Sequence, residues 1–403
     1  MNLHALRASV VNNENIFKFT YCCIIFLTFK RNVIYLTYQF YQAMSRQAAN
    51  LISHKLYSEP PRFYEAMLHD IDQAAKYIYM EFYKFGNDEI GLRFREALTK
   101  AAARGVHVKL LLDSWGVSYT EDFFSELISN GGEVRFFRKI LYTFDFFTKN
   151  HRRNHRKFLL IDDQISYMGS ANITGYSLQW RESMIRFTGG ITLMFKRSFL
   201  ESFRIYNKYI INKFTYKKSK LLDQFELVED MPSIYRQRIK TKLERLISKA
   251  KREIIIETPY FLPGHKMRKI LADAAKRGVN VKIILPMHSD VRSIDLLSSK
   301  YLGFYYSNKI KLVFYTLSNL HAKLLLIDGE TFGLGSPNID YRSFRYQHEV
   351  MLFGTHKGIV EEIRNHIDET LLNCQDFDHL SWLRRPRIEK VLGWLLLPFR
   401  HMF

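Results

Sequence analysis

Two histidines, each followed two residues later by a lysine, are the side chains best placed to do chemistry in this chain. The first stands in His155-Arg156-Lys157-Phe158-Leu159-Leu160-Ile161-Asp162, with Gly169-Ser170-Ala171-Asn172 downstream. Phe158 to Ile161 read as a short buried strand. Strand side chains alternate faces, so the spacing predicts His155 and Lys157 on one face. An imidazole beside an ammonium suits a phosphate: one attacks phosphorus or moves a proton, the other neutralises oxygen charge. Asp162 has the opposite parity. It is expected on the other face of a regular strand, supporting the phosphate site without touching it.

The same set recurs. His321, Lys323, Asp328, Gly335, Ser336 and Asn338 repeat the offsets +2, +7, +14, +15 and +17 counted from His155. A lone His in an apolar strand is ordinarily a satisfied core residue. Six residue types matched twice at fixed offsets lie far beyond composition.

The elements that position these residues repeat as well. Residues 102–112 and 274–285 both read as a helix end, a glycine (Gly105, Gly278) in the C′ position, and a buried strand. Each half reads as a helix (about 61–76; about 234–250), a strand (77–82; 253–257), a second helix (about 88–104; about 264–277) and the glycine-started strand. A further helix and strand follow. Then come the motif strand, a short strand, the Gly-Ser-x-Asn turn and a strand after Glu182 or Glu349. Alternating helices and strands predict an α/β sandwich with a mainly parallel or mixed sheet. Two such halves facing each other bring both histidines to one cleft.

Composition bounds the rest. At 403 residues the chain suffices for two ordinary domains, and 47% hydrophobic content allows a large core. A charged fraction of 25% argues against disorder. The net charge of +20 favours nucleic acid, an anionic lipid surface or a phosphate-rich substrate, without choosing among them. Cys22, Cys23 and Cys374 have no zinc spacing and make a disulfide framework improbable, which fits a reducing compartment. No carboxylate cluster resembles a Mg²⁺ site, so no metal and no cofactor is expected. Activity should survive a chelator.

No run of 18 apolar residues exists, which argues against a spanning helix. Phe19 to Phe29, bracketed by Lys18 and Lys30, and Val33 to Phe40 either lie on a membrane surface or belong to an N-terminal extension over 1–43, ahead of a start at Met44. The second is preferred. The remaining boundaries are a first domain over 44–212, a linker over 213–232 carrying Lys217-Lys218-Ser219-Lys220, a second domain over 233–380 and a C-terminal helix over 381–403. The aromatic stretch from Tyr142 to Lys149 reads as a loop over the cleft or one dipping into a headgroup layer. At the C-terminus, Ile388, Val391, Leu392, Leu395, Leu396 and Phe399 share one helical face. Arg384, Arg385, Arg387, Lys390 and Arg400 add charge, and Trp382 and Trp394 add interfacial rings. This predicts a basic amphipathic helix lying in a membrane interface, rather than one docked on the protein's core.

The doubled H-x-K-x4-D-x6-G-S-x-N pattern resembles the phospholipase D superfamily. Asn338-Ile339-Asp340-Tyr341-Arg342-Ser343 with Glu349, and Glu257-Thr258-Pro259-Tyr260-Phe261-Leu262-Pro263, resemble bacterial cardiolipin synthases. The resemblance covers about residues 55–400. It implies two tandem phospholipase D-like α/β sandwich domains with pseudo-two-fold symmetry and a shared active-site cleft. It implies phosphoryl transfer through a phosphohistidine, with His155 as nucleophile and His321 as general acid/base; the near-symmetry leaves that order open. The implied catalytic set is His155, Lys157, Asp162, His321, Lys323 and Asp328. Ser170, Asn172, Ser336 and Asn338 are expected at the substrate phosphate, and Glu182 and Glu349 behind the histidine rings. The implied reaction joins two phosphatidylglycerol molecules into cardiolipin and glycerol; the alternative is a phospholipase D-like hydrolase or a nuclease acting on phosphodiesters. The expected partner is an anionic phospholipid membrane containing phosphatidylglycerol, with no nucleic acid. A monomer suffices for the site. The expected location is peripheral, on the cytoplasmic side of the cell inner membrane.

Overall fold

The structure, a computed structural model, describes residues 52–137, 151–207, 219–233 and 235–402. The first half runs β1 (Ser53–Tyr57), α1 (Pro60–Asp72), β2 (Tyr77–Phe82), α2 (Glu89–Ala103), β3 (His107–Asp113), α3 (Ser125–Ser129), β4 (Glu133–Phe137), β5 (Arg153–Asn154), β6 (Phe158–Ile161), β7 (Ile165–Gly169), β8 (Met184–Thr188) and α4 (Ile191–Ile205). The second begins with β9 (Lys220–Leu222), β10 (Phe225–Asp230), α5 (Arg238–Lys249), β11 (Glu253–Glu257), α6 (His265–Lys276), β12 (Asn280–Pro286), α7 (Arg292–Ser307) and β13 (Lys311–Tyr315). It continues with β14 (Leu324–Ile327), β15 (Thr331–Gly335), α8 (Tyr341–Tyr346), β16 (Gln347–Gly354), α9 (Lys357–Leu371), β17 (Cys374–Asp376), α10 (His379–Arg384) and α11 (Arg387–Leu395).

Local chemistry sets these bounds. α1 opens on Pro60-Pro61, whose fixed φ suits a first turn. α2 is capped by Asp88, which accepts from Gly91 N at 3.0 Å. Gly105 and Gly278 both take φ +89°, the left-handed conformation glycine adopts at little cost, and turn the chain from helix into β3 and β12.

The two sheets share one strand order: β1-β8-β7-β6-β2-β3-β4 in the first and β10-β16-β15-β14-β11-β12-β13 in the second, with β9 and β17 at the outer edges of the latter. β2, β3 and β4 are parallel, as are β11, β12 and β13, because a helix crosses over between them. The motif strands β6 and β14 join these blocks antiparallel. One apolar cluster spans both halves: Phe158, Leu160, Phe187 and Phe199 meet Leu324, Leu326, Phe332, Leu352 and Ile363. Residues 52–403 accordingly form one unit. Separate clusters lie under α1 and α2 and under α5 and α6.

The linker expected over 213–232 does not extend through its second half. β10 holds the place in its sheet that β1 holds in the other, pairing with β16 from Phe225↔Gly354 to Asp230↔Glu349. Phe225, Leu227 and Val228 are buried. Lys217 and Lys218 lie outside the described residues, and the Lys220 ammonium donates to buried Glu229 rather than facing water.

The single helix expected over 381–403 is broken at Pro386. Arg385 takes ψ 151°, the extended conformation a following proline demands. Trp382 is not interfacial: its Nε1 donates to Ser299 O on α7 at 2.8 Å, and its ring leaves no room for a Cβ at Gly303. The expected apolar face nevertheless stays uncovered, with Ile388 62% and Trp394 66% exposed. Phe19–Phe29, Val33–Phe40 and Tyr142–Lys149 lie outside the described residues. Among the described residues no helix is long and apolar enough to cross a membrane.

Candidate active site

Each histidine is placed by the opposite half. β5 pairs parallel with Gln347–His348, and His155 N donates to His348 O at 3.0 Å. In mirror fashion, Arg181 bridges to Leu320, and His321 N donates to Arg181 O at 2.7 Å. The next residue on each supporting segment is the glutamate. This register aims the carboxylate of one half at the ring of the other. His155 Nδ1 lies 3.1 and 3.2 Å from the Glu349 oxygens, and His321 Nδ1 lies 2.8 and 3.0 Å from those of Glu182. An Nδ1–H donating to a carboxylate leaves Nε2 free to act as nucleophile or base.

The strand begins only at Phe158, so His155 and Lys157 sit in the extended segment that enters it, not on the strand itself. Both lysines turn back: Lys157 Nζ donates to His155 O at 2.5 Å and Lys323 Nζ to His321 O at 2.6 Å. Both are buried. Burial pushes the Lys157 ammonium well below its ordinary range and brings Lys323 down to about 8. A phosphate between them would restore the charge that burial opposes.

Ser170 and Ser336 serve the glutamates, not an open phosphate position. The Ser170 hydroxyl donates to Glu182, and Ser336 Oγ donates to Glu349 Oε2 at 2.5 Å. Each also accepts a backbone N–H, from Ser183 at 2.7 Å and Val350 at 3.0 Å. The preceding glycines allow this closeness: a Cβ at Gly169 would stand 2.0 Å from Ser183 O, and one at Gly335 2.3 Å from Val350 O. Asn172 Oδ1 accepts from Lys84 N at 3.2 Å, and Tyr64 Oη donates to Asn172 O at 2.7 Å, which pins the turn. Asn338 keeps a buried side-chain Oδ1 without a hydrogen-bond partner.

Asp162 and Asp328 belong to the scaffold. They lie beyond the far ends of β6 and β14 at φ 54° and 55°, so strand parity does not apply to them. Asp162 accepts from the backbone N–H of Ala75, Lys76 and Tyr77 at 2.6–2.8 Å. Asp328 accepts from Lys251, Arg252 and Glu253 at 2.7–3.1 Å. Each carboxylate ties the turn before β2 or β11 to the motif strand. Seven residues of roughly extended chain, about 20 Å, separate each from its histidine.

The two His–Glu pairs differ electrostatically. Burial, then the charges of Lys157 and Lys323, hold His155 well below the usual imidazole range. Burial raises Glu349 to about 7 against the pull of Lys157. Burial also opposes the charge on Glu182, but His321, Lys323 and the Ser170 hydroxyl together outweigh it, and the carboxyl falls below its usual range. His321 is lowered by burial, with Glu182 opposing the change.

Several neighbours escape motif reading. The Tyr83 ring stands edge-on to His155 at 5.2 Å, and Trp180 tilts against His321 at 5.3 Å. Arg156, between the motif His and Lys but facing away, is buried against Glu81 and Glu229, both at 3.4 Å. Its counterpart position is apolar Ala322, and Glu257, the counterpart of Glu81, instead takes His366 at 3.0 Å. Their only sequence signal is a glutamate at matching places near the ends of two largely apolar strands. Among the described residues no three His, Cys, Asp or Glu side chains gather as a metal site would require.

Comparison with known proteins follows the same lines. A family model described as "Cardiolipin synthase, PLD-like domain" matches residues 67–194 and 243–371. Cardiolipin synthase of Clostridium perfringens strain 13 is 31% identical over 352 residues, covering 83% of this chain and 74% of that one. Cardiolipin synthase of Listeria monocytogenes EGD-e is 29% identical over 354 residues, covering 83% and 73%. In fold, the crystal structure of phosphatidylserine synthase from Haemophilus influenzae Rd KW20 superposes with a TM-score of 0.68 at 13% identity, over 90% of this chain and 100% of that one. A doubled motif matched in both halves and relatives aligned across most of the chain leave one assignment: the chain belongs to the cardiolipin synthase family of phospholipase D-like proteins.

Proposed function

We propose that this protein is a phosphatidyltransferase that converts two phosphatidylglycerol molecules into cardiolipin and glycerol through a phosphohistidine. The observation that carries the reading is the crossed pairing, His155 with Glu349 and His321 with Glu182, in a chain whose relatives are cardiolipin synthases. Each half alone lacks the carboxylate behind its own ring. The unequal pairs favour His155, the ring held most firmly neutral, as nucleophile. His321 is lowered less than His155 and stands beside an ionised glutamate, so it is the ring assigned to carry the proton.

In the first step His155 Nε2 attacks phosphorus, the bond to the glycerol oxygen breaks, and the His321 imidazolium gives its proton to the departing oxygen. In the second, neutral His321 takes the proton of the incoming hydroxyl, whose oxygen displaces His155 from phosphorus. Lys157, Lys323, Asn172 and Asn338 stabilise the non-bridging oxygens. Ser170 and Ser336 keep the glutamates in place, and Asp162 and Asp328 hold the motif strands.

The lipid surface is met from the C-terminal end. Ile388, Val391, Trp394, Leu395 and Phe399 are exposed on α11 and the turn after it, with Arg387 and Lys390 alongside. Such a face suits peripheral attachment to an anionic bilayer. The free thiol of Cys374 fits the cytoplasmic side of the inner membrane.

Purified protein is given phosphatidylglycerol vesicles and the lipids are analysed by mass spectrometry. Cardiolipin and glycerol in equal amounts are expected. Phosphatidic acid without cardiolipin would make the protein a hydrolase. Plasmid cleavage abolished by His155→Ala would make it a nuclease.

A further inference from the structure

The two halves differ at Arg156 and Ala322, and again just after the turn asparagine. Four residues after the turn asparagine, the first half has Tyr176 and the second has Arg342. The Tyr176 hydroxyl accepts from Lys84 Nζ at 3.1 Å, so the cation on that side is a single ammonium bound to a phenol, not a guanidinium fork. Arg342, half-buried on α8, is charged and has no carboxylate at ion-pair distance among the described residues. The nearby Asp340 carboxylate is taken by Ser343 N at 2.7 Å.

Arg342 rests on an aromatic ring instead. Its guanidinium lies 5.3 Å from the centre of Trp115, over which Arg153 also lies at 5.1 Å. Arg153 is paired with buried Asp113, its NH1 3.5 Å from Oδ1. Trp115 follows the end of β3 and is 40% exposed. A π-face holds a guanidinium without neutralising it and leaves its N–H edges available. The charge is felt at the centre, since it helps hold His155 neutral. Arg342 differs from the motif lysines in exposure: Lys157 and Lys323 are fully buried beside the histidines, whereas Arg342 is half-buried. A half-buried cation on a tryptophan that is 40% exposed, with its charge felt at His155, suits a second phosphate.

We propose that Arg342, held on Trp115, binds the phosphate of the second phospholipid and thereby selects a lipid alcohol over water or free glycerol as acceptor. This rests on the phosphatidyltransferase reading. The planar guanidinium offers two N–H donors to the two non-bridging oxygens of a phosphodiester. Holding the acceptor by its phosphate delivers its hydroxyl to the phosphohistidine at high effective concentration. The reaction is unchanged: the acceptor proton goes to His321, the new P–O bond forms and the P–N bond to His155 breaks.

Wild type, Arg342→Gln and Arg342→Lys are compared on phosphatidylglycerol vesicles containing labelled free glycerol. Each preparation reports its own ratios of cardiolipin, phosphatidic acid and labelled phosphatidylglycerol, so partial loss of folded protein cancels. In Arg342→Gln the ratio of cardiolipin to phosphatidic acid should fall about tenfold, the loss expected for one charge-assisted contact. The ratio of labelled phosphatidylglycerol to phosphatidic acid should not fall with it, because glycerol carries no phosphate. Arg342→Lys should recover part of the cardiolipin ratio, keeping the charge but not the fork. An unchanged ratio of cardiolipin to phosphatidic acid in Arg342→Gln, whatever the total yield, would overturn the proposal. Wild-type protein that makes no cardiolipin would instead overturn the phosphatidyltransferase reading, before any variant is considered.

Discussion

The unequal His–Glu pairs predict that the two glutamates fail differently as pH changes. Glu349→Gln and Glu182→Gln both remove a carboxylate and keep the shape. A carboxylate in contact with an imidazole shifts its titration by about 1–3 units, which is about 1.4–4 kcal/mol and roughly 10- to 1000-fold in rate if fully expressed. Only an ionised carboxylate contributes this. Glu349 titrates at about 7. It is therefore about one-tenth ionised at pH 6 and about nine-tenths at pH 8. The ratio of wild-type to Glu349→Gln kcat/KM should consequently grow by up to about tenfold between pH 6 and pH 8. Glu182 lies below its usual range and stays ionised throughout, so the corresponding ratio for Glu182→Gln should be large and nearly flat. The assay is kcat/KM on phosphatidylglycerol in detergent mixed micelles at several pH values. A flat ratio for Glu349→Gln, or growth in the Glu182→Gln ratio instead, would refute the assignment of His155 as the nucleophile and His321 as the proton carrier.

Other consequences concern the scaffold, the surface and metals. Asp328→Ala should lose about 1–2 kcal/mol in urea unfolding, because several backbone N–H groups lose their shared acceptor. Burial opposes the charge on Asp328, but those N–H donors hold its carboxyl below the usual range. Its contribution is therefore present above about pH 4 and fades as pH falls through the lower folded value, which the unfolding midpoint at pH 3 against pH 7 reads. Replacing exposed Ile388 and Trp394 with Asp should weaken co-sedimentation with anionic vesicles severalfold while leaving the melting temperature within a few degrees; undiminished binding would remove the C-terminal face from the account. Turnover should persist in EDTA, because Lys157 and Lys323 supply the positive charge; loss restored by a divalent ion would contradict this.

What was legible in the sequence was whatever repeats locally. Tyr77–Phe82 and Glu253–Glu257 stand out as apolar runs between turn signals, and Gly105 and Gly278 mark the helix stops before β3 and β12. The paired motifs pointed to one cleft. The residues lost to sequence reading owe their places to contacts between distant segments. β5 has only two residues and no period of its own, yet its pairing with β16 aims His155 at Glu349. β10 has no clean alternation, and the lysine run in front of it suggested solvent. Asp162 was given its supporting role by strand parity, which ends where the backbone turns left-handed, there and at Asp328. Ser170 and Ser336 could be placed in the turn but not oriented, because the glutamates that claim their hydroxyls lie twelve and thirteen residues on. Arg342 stands in a segment that carries the resemblance, but its seat on Trp115 depends on a contact between distant segments.

The central claim is that the crossed pairs form one reaction centre, with His155 as the nucleophile. A phosphatidyl ester of p-nitrophenol separates the two steps, since its leaving group needs no proton. On mixing with this ester, His321→Ala should release p-nitrophenolate once, in an amount matching the protein, and then stall for lack of a base. Peptide mass spectrometry under alkaline conditions should find the phosphatidyl group on His155. His155→Ala should give no burst. A burst from His155→Ala with the adduct on His321, or no adduct on either histidine while the wild type turns over, would contradict the account.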